Sequence, residues 1–136
     1  MGTPVENVEK SYGRCSVNPQ FLDRFYEIFL ASNSSIAPMF KTTNMTQQKA
    51  LLRQGITMVL MHNKGNSFGT RALDRIGESH NKKKLNINPS MYPFWINSLV
   101  SALKECDPEM TPALESEWRK ILEAGTAYIA GKWDKV

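Results

Sequence analysis

Three short signals do most to limit what this chain can fold into. At Asn18-Pro19, Asn88-Pro89 and Thr111-Pro112 a capping side chain is followed at once by proline. The cap oxygen accepts from an otherwise unpartnered N–H of a first helical turn, and proline has no N–H to leave unpartnered there. Each pair predicts a helix start. Helically spaced apolar residues follow every one. After Pro19 come Phe21, Leu22, Phe25, Ile28 and Phe29. After Pro89 come Tyr92, Trp95, Ile96, Leu99, Val100 and Leu103. After Pro112 come Leu114, Trp118, Ile121 and Leu122, with Tyr128 and Ile129 continuing the stripe. Gly125 lies on that last stripe, where it permits a close backbone approach.

Between these segments, residues 46 to about 62 carry Leu51, Leu52, Ile56, Val59 and Leu60 at helical spacing. Gly65 and Gly69 break the chain after them, and a shorter helix is expected from about 70 to 80. Residues 33–40 read as a tight corner limited by Pro38, and residues 1–17 as a polar segment with one short helix around 5–12. No run alternates apolar and polar residues over a strand's length. The expectation is an all-α fold of six to seven helices with negligible strand. A four-helix bundle and a globin-like packing both satisfy it.

With 136 residues the chain has the length of one domain, here expected to span 18–136 behind the N-terminal segment 1–17. An apolar share of 41% excludes a disordered tail. Seventeen Lys and Arg against thirteen Asp and Glu leave +4, too weak a balance to imply nucleic acid. No apolar run reaches membrane-spanning length and no signal-like segment follows Met1, so a cytoplasmic protein with no membrane partner is expected. Cys15 and Cys106 are too few for a disulfide framework or a zinc cluster, and both are expected reduced.

Five stretches in order resemble the globin family, specifically bacterial single-domain globins and the haem domain of flavohaemoglobins. Phe25-Tyr26 with Pro38-Met39-Phe40 looks like the end of helix B and its corner. Thr46-Gln47-Gln48-Lys49-Ala50-Leu51-Leu52 looks like the start of the distal helix E. Ile76-Gly77-Glu78-Ser79-His80 looks like helix F, and Ile87-Asn88-Pro89-Ser90-Met91-Tyr92 like the following corner and the start of helix G. Thr111-Pro112-Ala113-Leu114-Glu115-Ser116-Glu117-Trp118 looks like the start of helix H. Together they cover about residues 18–130.

The resemblance implies a haem b cofactor, with a neutral imidazole as axial iron ligand. His80 is the matching residue, one turn after Ile76, which faces the same side. His62, the other histidine, lies about fifteen residues past the expected ligand-facing position and reads as a surface residue. Phe40 matches the corner phenylalanine that packs on the haem face. Tyr26 matches a distal tyrosine, whose hydroxyl can donate to the partial negative charge on a dioxygen ligand. Gln47 matches the distal position where animal globins usually carry histidine, and its amide can donate to the ligand or orient Tyr26. Leu51, one turn on, would supply an apolar wall, and Ile76, Ile87 and Tyr92 complete the implied cofactor contacts. Trp95, Leu99 and Trp118 read as core. Lys82, Lys83 and Lys84 suit either haem propionates or a solvated loop.

Two departures from flavohaemoglobins bear on function. His80 and Tyr92 are twelve residues apart, a longer corner than flavohaemoglobins use, which leaves their relative position open. Where those proteins carry a late helix-H glutamate behind the proximal histidine, this chain has Trp133, with Asp134 beside it. There is also no Gly-rich dinucleotide motif and no flavin or nicotinamide domain. The first expectation is a globin that reversibly binds a diatomic gas (O2, NO or CO), as a monomer or weak homodimer. One alternative is a haem enzyme, a nitric oxide dioxygenase or peroxidase-like catalyst, with an external reductase as partner. The other is a haem-free interaction protein of globin fold.

Overall fold

The computed structural model describes residues 2–136. Six α-helices follow one another: α1 (Pro4–Ser16), α2 (Phe21–Ser32), α3 (Met45–Asn63), α4 (Ser67–His80), α5 (Tyr92–Cys106) and α6 (Pro112–Ala130). Short 3-10 turns at Ala37–Phe40 and Pro89–Met91 precede α3 and α5. There is no strand among the described residues, and no helix is long and apolar enough to cross a membrane.

The capping chemistry of the sequence is visible, with shifts. Thr111 accepts from Leu114 N at 3.1 Å and opens α6 with Pro112 in its first turn. Asn88 accepts from Ser90 N at 2.9 Å, but what it opens is a 3-10 turn, and α5 begins only at Tyr92. At Asn18-Pro19 the Asn18 side-chain Oδ1 accepts from Gln20 N at 2.9 Å, and α2 begins at Phe21 without a side-chain cap. A fourth pair of the same kind, Thr3-Pro4, starts α1: Thr3 accepts from Glu6 N at 3.2 Å. The N-terminal segment is therefore a 13-residue helix, longer than the short one expected around 5–12. Asn44 and Asn66 cap α3 and α4.

Helix α6 is the hub, packing against α1, α3, α4 and α5, while α2 lies on α5 and α3 on α4. Trp118, Phe25, Ile56, Leu73, Leu99, Leu103 and Leu122 are among the largest fully buried side chains of the core, where apolar area is removed from water. Gly125 has its reason in the crossing of α3 and α6: a Cβ there would lie 2.8 Å from Val59 Cγ1. Gly69 does the same for α4, where a Cβ would meet His62 N at 2.6 Å.

One buried polar chain ties α1 to the corner between α5 and α6. Trp118 Nε1 donates to Ser11 Oγ at 2.9 Å, and Ser11 Oγ donates to Asp107 Oδ2 at 2.6 Å. Arg14 closes on the same carboxylate through Nε at 2.7 Å and Nη2 at 2.9 Å. Burial pushes the Asp107 pKa up, but hydrogen bonds from Arg14, Ser11 and Glu109 N outweigh it and hold the carboxyl below its ordinary range.

Candidate functional site

Two groups of side chains make up the site. The first is built where α4 ends. Leu73 and Gly77 are buried, and a Cβ on Gly77 would stand 3.2 Å from Ile129 O, so α4 lies close on α6. Ile76 and His80 are half-buried, one turn apart. His80 Nδ1 lies 3.1 Å from the hydroxyl of Tyr92, the first residue of α5, with the two rings 19° from parallel.

The intervening loop explains how residues twelve apart can meet. The buried Asn81 accepts from Lys83 N and Lys84 N, each at 3.0 Å, in an Asx turn. Leu85 N donates to Ser79 O at 3.0 Å and Asn86 N to Asn81 O at 2.8 Å. Asn86 sits at φ 53°, the left-handed region that asparagine tolerates better than most residues. Ile87 N then donates to the carbonyl of His80 itself at 2.9 Å. The extra residues are folded out as a compact bulge, and the chain resumes beside the histidine. Trp133 holds the bulge from behind: its Nε1 donates to Asn86 Oδ1 at 3.0 Å, and its carbonyl accepts from Lys82 N at 2.9 Å. Lys82, Lys83 and Lys84 are exposed, with Lys82 Nζ 5.8 Å from the Trp133 ring centroid.

Burial lowers the pKa of His80, which keeps the imidazole neutral, and burial pushes the Tyr92 phenol up to about 12. No carboxylate contributes to the His80 shift. With its proton on Nδ1, the imidazole donates to Tyr92 Oη and presents the Nε2 lone pair in a fixed direction.

The second group lies on α2 and the corner that follows it. Tyr26 is only 5% exposed, its ring 4.9 Å from Phe25 and 6.0 Å from Phe40. Phe40, half-buried, also lies 6.0 Å from Phe29. Burial raises the Tyr26 pKa, opposed by the neighbouring Gln48 side chain, so the phenol stays protonated. Of the two adjacent glutamines, Gln48 is the half-buried neighbour of Tyr26, while Gln47 is exposed. One residue along a helix is a rotation of about 100°, and the structure spends it turning Gln48 and Leu52 inward.

Gln47 and Leu51 are exposed, Leu51 by 60%. They are not surplus to the site on that account. Gln47, Leu51, Gly55 and Met58 follow one another up one side of α3. At its far end that side meets α4, where a Cβ on Gly69 would come within 3.0 Å of Met58 O. A Cβ on Gly55 would meet nothing within 4 Å, so there is open space along this side. Leu51 on α3 and Leu85 on the bulge, 64% exposed, leave apolar surface uncovered, and Ile76 and Ile87 are only half-buried.

His80 with Tyr92, and Tyr26 with Phe40, are thus brought together as pairs. No hydrogen bond or ring contact joins one pair to the other among the described residues. His62 is half-buried and packs at the surface: its Nδ1 lies 2.9 Å from Thr70 Oγ1 and its ring 4.9 Å from Tyr128. Gln48, Asn81, Asn86 and the Trp133 stay escaped sequence reasoning. An Asn directly after a helix, followed by polar residues, is the one signal that pointed to the bulge.

No three His, Cys, Asp or Glu side chains converge on a point among the described residues, so a metal here would arrive with ligands of its own. A haem meets that condition. One neutral, oriented imidazole with a free Nε2, an aromatic corner and uncovered apolar side chains along α3 and the bulge fit its chemistry.

No protein-family profile and no curated protein matches the sequence. A solved structure does. A Pseudomonas aeruginosa protein, described as structurally highly homologous to a human hemoglobin, matches with a TM-score of 0.93 and 37% identity over 96% of this chain and 98% of that one.

Proposed function

The chain belongs to the globin family, and from that premise we propose that it binds one haem b through His80 and uses it to hold a diatomic gas reversibly. The observation that carries the proposal is the His80–Tyr92 pair, which fixes the imidazole plane and leaves Nε2 free. Bound haem supplies the open coordination position for O2, NO or CO. The remaining work belongs to the chain. Tyr92 holds the proton on Nδ1 and so keeps the correct tautomer at His80. Phe40 would pack against the cofactor, and Leu51, Ile76 and Ile87 would help to shield it from water. Tyr26, kept protonated by burial, would donate to the gas ligand, with Gln48 the side chain beside it. Gln47, exposed near the start of α3, would reach the ligand or the Tyr26 hydroxyl by swinging inward.

Reversible binding is favoured over peroxidase-like chemistry by what touches His80. A strongly electron-donating axial ligand promotes O–O cleavage, and such donation is strengthened by an anionic hydrogen-bond acceptor. Here the acceptor is a neutral phenol whose own proton is held up to about pH 12. Any catalytic turnover would draw electrons from an external reductase.

The test is the purified protein's absorbance. A Soret band in the parent, lost in His80→Gly and restored by added imidazole, is the expected result. A parent that takes up no haem, or a His80→Gly variant with an unchanged spectrum, would overturn the assignment.

A further inference from the structure

The two cysteines meet. Cys15, in the last turn of α1, is fully buried, with Sγ 3.8 Å from Leu103 O. Cys106 is one turn on from Leu103 and is the last residue of α5. Asn18 N donates to Cys15 O at 3.0 Å, and the Asn18 amide reaches Cys106 Sγ at 3.7 Å. Cys15 and Cys106 thus flank the same Leu103 and Asn18 contacts, near enough for each thiol to influence the other's ionisation. We propose that Cys15 and Cys106 close to an intramolecular disulfide when the thiol–disulfide balance around the protein becomes oxidising, stapling α1 to the end of α5. The proposal does not depend on the haem.

Access and order of events follow from burial. Cys106 lines an open polar groove with Asn18, Gln20, Arg24 and Glu105, whereas Cys15 has no exposed surface. Cys106 therefore reacts first. Its thiolate attacks a low-molecular-weight disulfide, forming a mixed disulfide and releasing one small thiolate. Cys15, having lost its proton to solvent, then attacks the Cys106 sulfur, forms the intramolecular S–S bond and expels the second small thiolate. Two protein thiols are oxidised and one small disulfide is reduced to two small thiols, with both protons accounted for on them.

Burial pushes Cys15 up to about 12, with Cys106 and Asp107 adding to it against Arg14. Burial and Glu105 push Cys106 up as well. Both shifts keep the thiolate fraction low and the exchange slow, so closure waits on an oxidising balance around the protein. The staple joins points far apart in sequence, where a cross-link removes much unfolded-state freedom, and it lies next to the Asp107 clamp on α1.

The full-length protein is incubated with glutathione disulfide, quenched with a maleimide in denaturant so that the buried Cys15 is reached, and weighed intact. The expected product is a monomer two hydrogens lighter that takes up no maleimide, with a peptide linking Cys15 to Cys106. Its Tm should exceed that of the reduced protein by roughly 10 °C and fall back on adding dithiothreitol. Cys106→Ala, at a half-exposed position, should take up one maleimide and show no oxidant-dependent Tm shift. Two maleimides on the treated parent, a stable mixed disulfide at Cys106, or a product linked between two chains would each overturn the proposal.

Discussion

Replacing Tyr26 by phenylalanine removes one oxygen and leaves the ring's packing in place. The contacts that hold the ring, with Phe25 at 4.9 Å and Phe40 at 6.0 Å between centroids, do not involve the hydroxyl. The variant should therefore fold and take up haem as the parent does, so a change in ligand release reports the lost donor. A hydrogen bond to a partly charged acceptor contributes about 1.5–3 kcal/mol, which corresponds to roughly ten- to a hundredfold faster dioxygen release. Carbon monoxide carries little negative charge at such a site, and its release should change by much less. Stopped-flow displacement of each gas measures both rates. The placement of Gln48 against the phenol adds a second arm. Gln48→Leu frees the Tyr26 hydroxyl to reorient and should alter dioxygen release, whereas exposed Gln47 acts there only by swinging inward. A dioxygen off-rate within about twofold of the parent in Tyr26→Phe, well below that range, would refute the donor role. Equal acceleration for both gases would make the effect steric.

Tyr92→Phe removes the 3.1 Å bond at Nδ1; a neutral hydrogen bond contributes about 1 kcal/mol, so haem loss to an acceptor globin should quicken roughly fivefold, with a shifted iron–histidine stretch by resonance Raman. His80 has a folded-state pKa depressed by burial, so the unfolded chain takes up the proton first. Stability of the haem-free protein from this group is complete above the ordinary histidine value of about 6.5 and is lost as pH falls below it through the folded value; urea midpoints across that window should slope in the parent and flatten in His80→Leu. Asp107→Ala strands Arg14 and Ser11, and breaking such a buried pair costs about 3 kcal/mol, or roughly 10 °C in a thermal melt. The Asp107 carboxyl sits below its ordinary range, so this difference should persist above about pH 4 and shrink as pH falls through the folded value. Gly125→Ala puts a methyl 2.8 Å from Val59 Cγ1; overpacking of about 1–3 kcal/mol exceeds or roughly cancels a helix-propensity gain of about 1 kcal/mol, and Val59→Ala in the same chain should recover the loss if the clash is its cause.

Read alone, the sequence determined what short-range chemistry determines. Cap-proline pairs and 3.6-residue spacing depend on neighbours within one or two turns, so the six helices and the apolar faces of α2, α5 and α6 were legible. Where the same chemistry produced something else, a second local preference competed. Asn18 and Asn88 each closed a turn on the residue two further on, and the helix proper started later. The short helix expected near the N-terminus became α1 because Ser11, Arg14 and Cys15 find partners at Asp107, Trp118 and Leu103, residues no local pattern could supply.

Tertiary structure decided what depends on rotation about a helix axis and on the path of a loop. Gln47 and Gln48 are equivalent as sequence; which of them meets Tyr26 depends on the roll of α3, set by Leu52, Ile56 and Val59 entering the core. Leu51, identical in type to Leu52, was left on the open side by the same roll. Twelve residues separate His80 from Tyr92, a count compatible with contact or with none. Contact followed because Asn81 and Asn86 fold the lysine stretch outward and return Ile87 to the His80 carbonyl, with Trp133 bracing the turn. A periodic pattern says which side of a helix is apolar, but the angle at which that side meets its neighbours is a sum over many packing contacts, and only the folded chain performs that sum.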